Sequence, residues 1–127
     1  MPGPELTYLS AIDALAAFRS RELSPVELLE AAYARADEVE PKINAVVHRR
    51  REAAFATARE AEARYAGRGA GEPRPLDGLP IAVKEEQPFA GEPIEYGSLA
   101  LRGRIADHQR LWPMGLRAVR LCAVLPS

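Results

Sequence analysis

The stretch Pro75-Leu76-Asp77-Gly78-Leu79-Pro80-Ile81-Ala82-Val83-Lys84 decides which fold this chain can adopt. Leu79 to Lys84 is a short apolar run containing β-branched Ile81 and Val83. It reads as a short buried strand, with Pro80 at its first position, where a missing backbone donor is tolerated. The run ends in a charged residue, Lys84. It then opens into an irregular polar segment with Glu85, Glu86, Gln87, Pro88, Gly91 and Pro93 that closes with Gly97-Ser98. A strand whose C-terminal end feeds a glycine-containing loop is where α/β enzymes commonly place reactive groups.

Lys84 is unusual for a second reason. The chain contains 15 Arg and only two Lys, Lys42 and Lys84, and the two residue types differ in charge shape and in how readily their pKa moves. A lysine partly shielded from water at a strand end has its neutral amine favoured, because burial penalises the charged form. A neutral amine can act as a general base or a Schiff-base nucleophile. The bland alternative is a lysine whose stem lies along the apolar surface while its ammonium pairs with Glu85 or Glu86. Spacing alone leaves both open and makes the ion-paired lysine the commoner case.

Outward from this strand, the upstream half reads as helical. Ser10 can cap a helix in which Ile12, Leu15, Ala16 and Phe18 recur at helical spacing, with Asp13 where the dipole favours an anion. Ser24-Pro25-Val26-Glu27 is a capping box with proline at a harmless position. It opens a helix whose apolar face is Leu28, Leu29, Ala32, Tyr33, Ala36 and Val39, ended by Glu40-Pro41. Asn44 to Val47 reads as a brief strand or extended link. About Arg51 to Tyr65 is a third helix with Ala54, Ala58, Ala61 and Tyr65 on one side. Arg49-Arg50-Arg51 is followed closely by glutamates and reads as a solvated helix face rather than a basic patch. Gly67 to Pro73 is a flexible surface connection. From Gln109 to Ser127 there are three Arg, no acid, and neither a helix cap nor a clean period.

Composition narrows the classes further. With 127 residues the chain suits one small domain, and 47% apolar with 28% charged residues is ordinary for a soluble globular protein. Seventeen basic against eighteen acidic residues give a net charge of −1, which removes the basic excess expected of a nucleic-acid binder. A single cysteine, Cys122, excludes an internal disulfide, and two histidines with one cysteine cannot supply an all-Cys/His zinc site. His48 and His108 lack ligand-type neighbours at useful spacing, so no metal and no cofactor is expected. The Gly67-Arg68-Gly69-Ala70-Gly71 run lacks the strand before it and the Gly-Lys-Ser/Thr after it that a phosphate loop needs. Ser98 after Gly97 is a common turn pair. No stretch approaches the ~18 consecutive apolar residues of a membrane span, and the N-terminus has no secretory pattern. The expectation is a cytoplasmic protein with no membrane or nucleic-acid partner.

The block Pro75 to Lys84 resembles the first signature block of the amidase signature family: Pro-Leu, a Gly, then Pro, an apolar residue, any residue, Val and Lys. The resemblance extends upstream through Ser24-Pro25-Val26-Glu27-Leu28, Ala34-Arg35 and Pro41-Lys42-Ile43-Asn44-Ala45, and downstream to Gly91 and Gly97-Ser98, covering about Leu6 to His108. It departs at Asp77, where the family often has His, and at Glu85, where it usually has Asp. The fold implied is α/β: a helical N-terminal part plus the first strand or strands of the family's large mixed sheet, incomplete here and left with unpaired edges. The activity implied is hydrolysis of a small-molecule amide through a Ser–cis-Ser–Lys triad, with Lys84 as the base acting through the middle serine.

What is missing matters as much. The family's Gly/Ser-rich block carries the nucleophile, the bridging serine and the oxyanion-hole N–H groups, and this chain contains nothing like it. Family members are several times longer. Without those groups, each usually worth orders of magnitude in rate, one base cannot run the reaction. Residues 1–108 therefore read as the N-terminal portion of an amidase domain that is inactive alone. Residues 109–127 depart from the family pattern as an out-of-frame tail would. A second class of function fits the same residues: a small, mostly helical binding or regulatory module that docks a partner chain through the Leu28 to Val39 face. The frameshift expectation is checked on the DNA. Downstream of codon 109, one of the other two reading frames should encode a Gly/Ser-rich amidase block, and its absence from both removes the expectation.

Overall fold

The computed structural model of the protein describes residues 4–108 and the strand at 119–122. A 3-10 turn at Pro4–Tyr8 leads into α1 (Ala11–Ser20), α2 (Pro25–Ile43) and α3 (Arg51–Tyr65), followed by β1 (Pro80–Val83), a second 3-10 turn at Leu99–Leu101, and β2 (Val119–Cys122). The helix starts form where the sequence places them. Ser10 Oγ accepts the amide of Asp13 at the head of α1. At the head of α2 the reciprocal box is complete: Glu27 N–H donates to Ser24 Oγ at 3.1 Å, and Ser24 N–H donates to Glu27 Oε2 at 2.8 Å. Each such cap is worth about 1 kcal/mol.

Two details of the helices differ from the sequence reading. Pro41 does not end α2; it sits in the last turn, and the helix runs on to Ile43. Asn44, with φ 47°, closes it by donating its N–H to Glu40 O at 2.8 Å. Asparagine tolerates this left-handed geometry, so the stop is set by the cap and not by the proline. On α1 the buried face is Ala14, Leu15 and Phe18, while Ile12 and Ala16 are exposed. Ile12 and Ala16 fit the helical period, but they lie on the flank of the stripe that no neighbour covers. Ala45 to Val47 form no strand and link α2 to α3.

Two apolar clusters hold the helices together. Ala14, Leu15, Phe18, Leu23, Leu28 and Leu79 form the first, with Leu6, Ala17 and Tyr65 packed against it. Leu29, Tyr33, Ala54 and Ala58 form the second, flanked by Val26 and Phe55. The Tyr33 and Phe55 rings stack at 5.8 Å, and the Arg51 guanidinium lies over Tyr33 at 4.8 Å. Alanines at positions 54, 58 and 61 let α3 approach α2 closely. This corrects the docking-module reading: Leu28, Leu29 and Tyr33 are already buried inside the chain, so the core of that face offers nothing to a partner. Burying each of these side chains contributes about 1.5–3 kcal/mol.

β1 and β2 pair in parallel, with Pro80 opposite Val119, Ile81 opposite Arg120, Ala82 opposite Leu121 and Val83 opposite Cys122. α2 packs near β1 and α3 near β2, which makes the architecture α/β. β2 falls in the segment whose sequence carries neither cap nor period; strand pairing needs neither. β1 is less buried than its composition suggests. Val83 is buried, Pro80 and Ile81 are half-buried, and Ala82 is exposed.

The link between helices and strand is polar. Arg64, on the buried face of α3, donates to both carboxylate oxygens of Asp77, Nε to Oδ2 at 2.5 Å and a terminal nitrogen to Oδ1 at 2.8 Å. Tyr65 Oη donates to Asp77 O at 2.9 Å. Gly78 follows with φ 84°, and a Cβ there would lie 2.6 Å from Pro25 Cγ at the head of α2. The turn before β1 is thus clamped to α3 on one side and pressed onto α2 on the other. Removing one partner of a buried pair leaves an uncompensated charge, at a cost of about 3–5 kcal/mol. Asp77→Ala is therefore expected to lower the urea midpoint sharply, by a large fraction of a small domain's stability. An unchanged midpoint would show the clamp to be dispensable.

Candidate functional site

Lys84 directly follows β1, at the C-terminal end of the strand. Its carbonyl accepts the Gln87 N–H at 3.0 Å, so the chain turns at once. The side chain is half-exposed, and Nζ pairs with Glu86 Oε2 at 3.2 Å, the Glu86 side chain being equally exposed. The two glutamates that follow Lys84 have different roles. Glu86 faces solvent with the lysine. Glu85 turns inward, is buried, and accepts two backbone N–H groups, from Glu95 at 2.7 Å to Oε1 and from Gly97 at 3.3 Å to Oε2. Val83 in and Lys84 out follow the alternation of the strand. Glu85 and Glu86 are the central residues of the turn that Gln87 N–H closes on the Lys84 carbonyl, and it is this turn that aims Glu85 inward. In the sequence Glu85 and Glu86 are equivalent partners for Lys84, because adjacent glutamates at a strand end carry no label for which is buried.

Beyond the turn the chain makes a short antiparallel excursion. Ile94 N–H donates to Arg104 O, Ala106 N–H to Glu92 O and Gly91 N–H to Ala106 O, at 2.8–2.9 Å. Phe89, Ile94 and Ala106 are buried beneath it. Ser98 ends a tight turn, its N–H donating to Glu95 O at 2.9 Å, as expected for a turn serine.

The other candidates stay apart from Lys84. His48 is half-buried, and its Nε2 is buried without a hydrogen-bond partner among the described residues. His108 is exposed beside Asp107. Cys122 lies in β2, and its side chain is outside the described residues. Arg49 and Arg51 pair with Asp37, and Arg50 pairs with Glu92 at 2.8 Å, so this run is spoken for by carboxylates. Among the described residues no group of three or more His, Cys, Asp or Glu side chains could hold a metal ion, and no helix is long and apolar enough to cross a membrane. A cavity of about 380 Å³ opens between Arg19, Arg64, Tyr65 and the Gly67 to Pro73 connection. It lies at the negative end of α3, Glu72 lines it, and Arg64 is already committed to Asp77.

The pairing of Arg64 with Asp77 is not visible in the sequence, where Asp77 stands out only as a departure from the family block. Arg64 stands one helical step beyond Ala61 on the same face, and that placement was the available signal. The hydrogen bond to Asp77 holds the Arg64 guanidinium even further above its ordinary pKa. Burial, with the Asp77 charge second, pushes the Tyr65 phenol up. Both shifts keep the donors of the clamp protonated.

A parallel strand pair with helices packed beside it places the described residues in the α/β class. The Amidase family model matches residues 27–110, and the chain belongs to that family. Over 100 residues it is 43% identical to a glutamyl-tRNA(Gln) amidotransferase subunit of Chloroflexus aurantiacus, an overlap of 78% of this chain and 20% of the relative. The corresponding protein of Paenarthrobacter aurescens is 36% identical over 119 residues, 92% of this chain and 23% of the relative. Among solved structures, a bacterial aryl acylamidase of the amidase signature enzymes superposes with a TM-score of 0.82 at 25% identity, covering 96% of this chain and 26% of that one. The peptide amidase from Stenotrophomonas maltophilia gives 0.75 at 28% identity, over 94% and 25%. The chain thus spans about a fifth to a quarter of the length of the proteins it matches.

The Tyr65 shift fixes a pH dependence. A phenol whose folded pKa is raised favours the folded state while protonated. Its contribution is full below the unfolded value near 10 and is lost as pH rises through the higher folded value. Of the four tyrosines, Tyr65 is expected to contribute a late-ionising step to the phenolate absorbance, accompanied by loss of stability. Tyr65→Phe should remove that step, and an alkaline titration unaltered by the substitution would refute the assignment.

Proposed function

We propose that this chain forms the lysine-bearing N-terminal part of an amide hydrolase, with Lys84 as the base of a Ser–cis-Ser–Lys triad. The observation that carries the reading is the place of Lys84. It closes the Pro75 to Lys84 block and stands just past the C-terminal end of a strand in a parallel pair, turned away from the core. Membership of the amidase family supports it, as do relatives and structural neighbours whose names describe a component of an amidotransferase, an acylamidase and a peptide amidase.

In this reading the substrate is a small-molecule amide. A serine hydroxyl attacks the amide carbonyl and passes its proton through the bridging serine to the neutral Lys84 amine. The proton returns to the departing amine as the C–N bond breaks, and water then hydrolyses the acyl ester. Both serines belong to the Gly/Ser-rich block that this sequence lacks, so residues 1–108 supply the base and its supports only. The half-exposed Lys84, paired with Glu86, is the form expected while nothing covers it. Shielding by the remainder of the sheet would favour the neutral amine. The boundary near residue 108 rests on the family-model match closing at residue 110, while the overlap with the Paenarthrobacter aurescens relative, 92% of this chain, runs past it. A single cysteine fits a cytoplasmic setting.

The test joins residues 1–108 in frame to the family's Gly/Ser-rich block and measures anilide hydrolysis. Lys84→Met is expected to lower kcat by about 10²–10⁴-fold, and the 127-residue chain is expected to release no product. Hydrolysis by that chain alone, or an undiminished Lys84→Met enzyme, would overturn the proposal.

A further inference from the structure

We infer that Glu85 is a positioning residue: its buried carboxylate pins the turn at Glu95 to Ser98 and thereby fixes how the chain turns away from Lys84. The inference rests on the reading of Lys84 as the proton-transfer group, but its geometry is separate from that reading. The turn breaks a local rule. Tyr96 and Gly97 both have left-handed backbones, with φ 51° and 65°, and Ser98 N–H closes the turn onto Glu95 O. Two consecutive left-handed residues make a turn that favours asparagine or glycine at its first central position, and tyrosine is poorly suited to it. A strained residue persists only where its surroundings over-determine it.

Glu85 supplies that determination. Its two oxygens accept the N–H groups on either side of Tyr96, those of Glu95 and Gly97. Charge-assisted bonds from backbone donors to a buried carboxylate are stronger than neutral ones. The far side of the turn is held as well, since Glu95 Oε1 accepts the Gly103 N–H at 2.8 Å and the Arg104 guanidinium lies 5.9 Å from the Tyr96 ring centroid. Glu85 is a central residue of the turn that Gln87 N–H closes on the Lys84 carbonyl, so a carboxylate held inward fixes how the chain turns away from Lys84, which the strand has already pointed outward. Glu86 has no such hold on the backbone; it meets Lys84 only through an exposed ion pair.

The chain offers an internal standard for the test. Lys42, in the exposed last turn of α2, is the only other lysine, so acetic anhydride labelling reports the reactivity of Lys84 as a ratio to Lys42. In the full 127-residue chain, Glu85→Gln is expected to speed amide exchange at Glu95 and Gly97 by about tenfold or more. The amides of α3 should stay protected, and the pH dependence of the Lys84 to Lys42 ratio should change. Glu85→Asp, which keeps the charge, should restore most of the exchange protection and the labelling profile. Four outcomes would overturn the inference: no protection at Glu95 and Gly97 in the parent chain, exchange in Glu85→Gln that is unchanged or faster throughout α3, an unmoved labelling ratio, or no rescue by Glu85→Asp. Failure of the amidase reading shows differently, as hydrolysis that survives Lys84→Met, and leaves these exchange and labelling results untouched.

Discussion

The bidentate pair between Arg64 and Asp77 joins the two halves of this molecule, and the placement of everything downstream follows from it. Arg64 ends the buried face of α3, and Asp77 sits in the turn that launches β1. A guanidinium and a carboxylate taken out of water are costly unless the fork geometry and the remaining hydrogen bonds are satisfied. Here they are: both carboxylate oxygens accept from Arg64, and the Asp77 carbonyl accepts from Tyr65. Tyr65 in turn packs its ring 5.6 Å from Phe18 of α1, so the polar clamp and the first apolar cluster share a residue. Gly78 then fits against Pro25 because it has no side chain.

From that anchored turn the strand carries position to Lys84. Four residues of β1, paired along their length with β2, set the direction, and the alternation from Val83 to Lys84 sends the lysine out of the core before the chain turns at Glu85 and Glu86. A second polar clamp, Glu85 on the Glu95 and Gly97 amides, holds the loop that passes beyond the strand end. Beside the apolar packing of Leu79, two buried carboxylates thus tie helix to strand and strand end to loop, each oxygen of each accepting a donor. This is an economical way to aim a functional side chain from a short strand whose own burial is partial.

The chain covers about a quarter of the length of its structural neighbours. The helical part is well packed, because α1, α2 and α3 bury their stripes against one another. The sheet part is thin, with Ala82 exposed and Lys84 open to water. A base that must be neutral at working pH needs a covered setting, so the chemistry proposed for Lys84 depends on whatever covers this edge.

Local signals in the sequence determined the helices, their caps and the strand that carries Lys84. The Ser24 to Glu27 box, the alanine stripe at 54, 58 and 61, and the apolar run from Leu79 act through neighbours within a few residues, so pattern alone could locate them. Pro41 misled because a residue's tendency to stop a helix is weaker than the cap that forms three residues later. What only the tertiary structure decided was which polar residues are buried and with whom. Arg64 with Asp77, Glu85 with the Tyr96 turn, and β2 alongside β1 all join residues separated by ten or more positions. The free energy of such a contact depends on the solvent removed around both partners at once, a quantity that no stretch of sequence contains by itself.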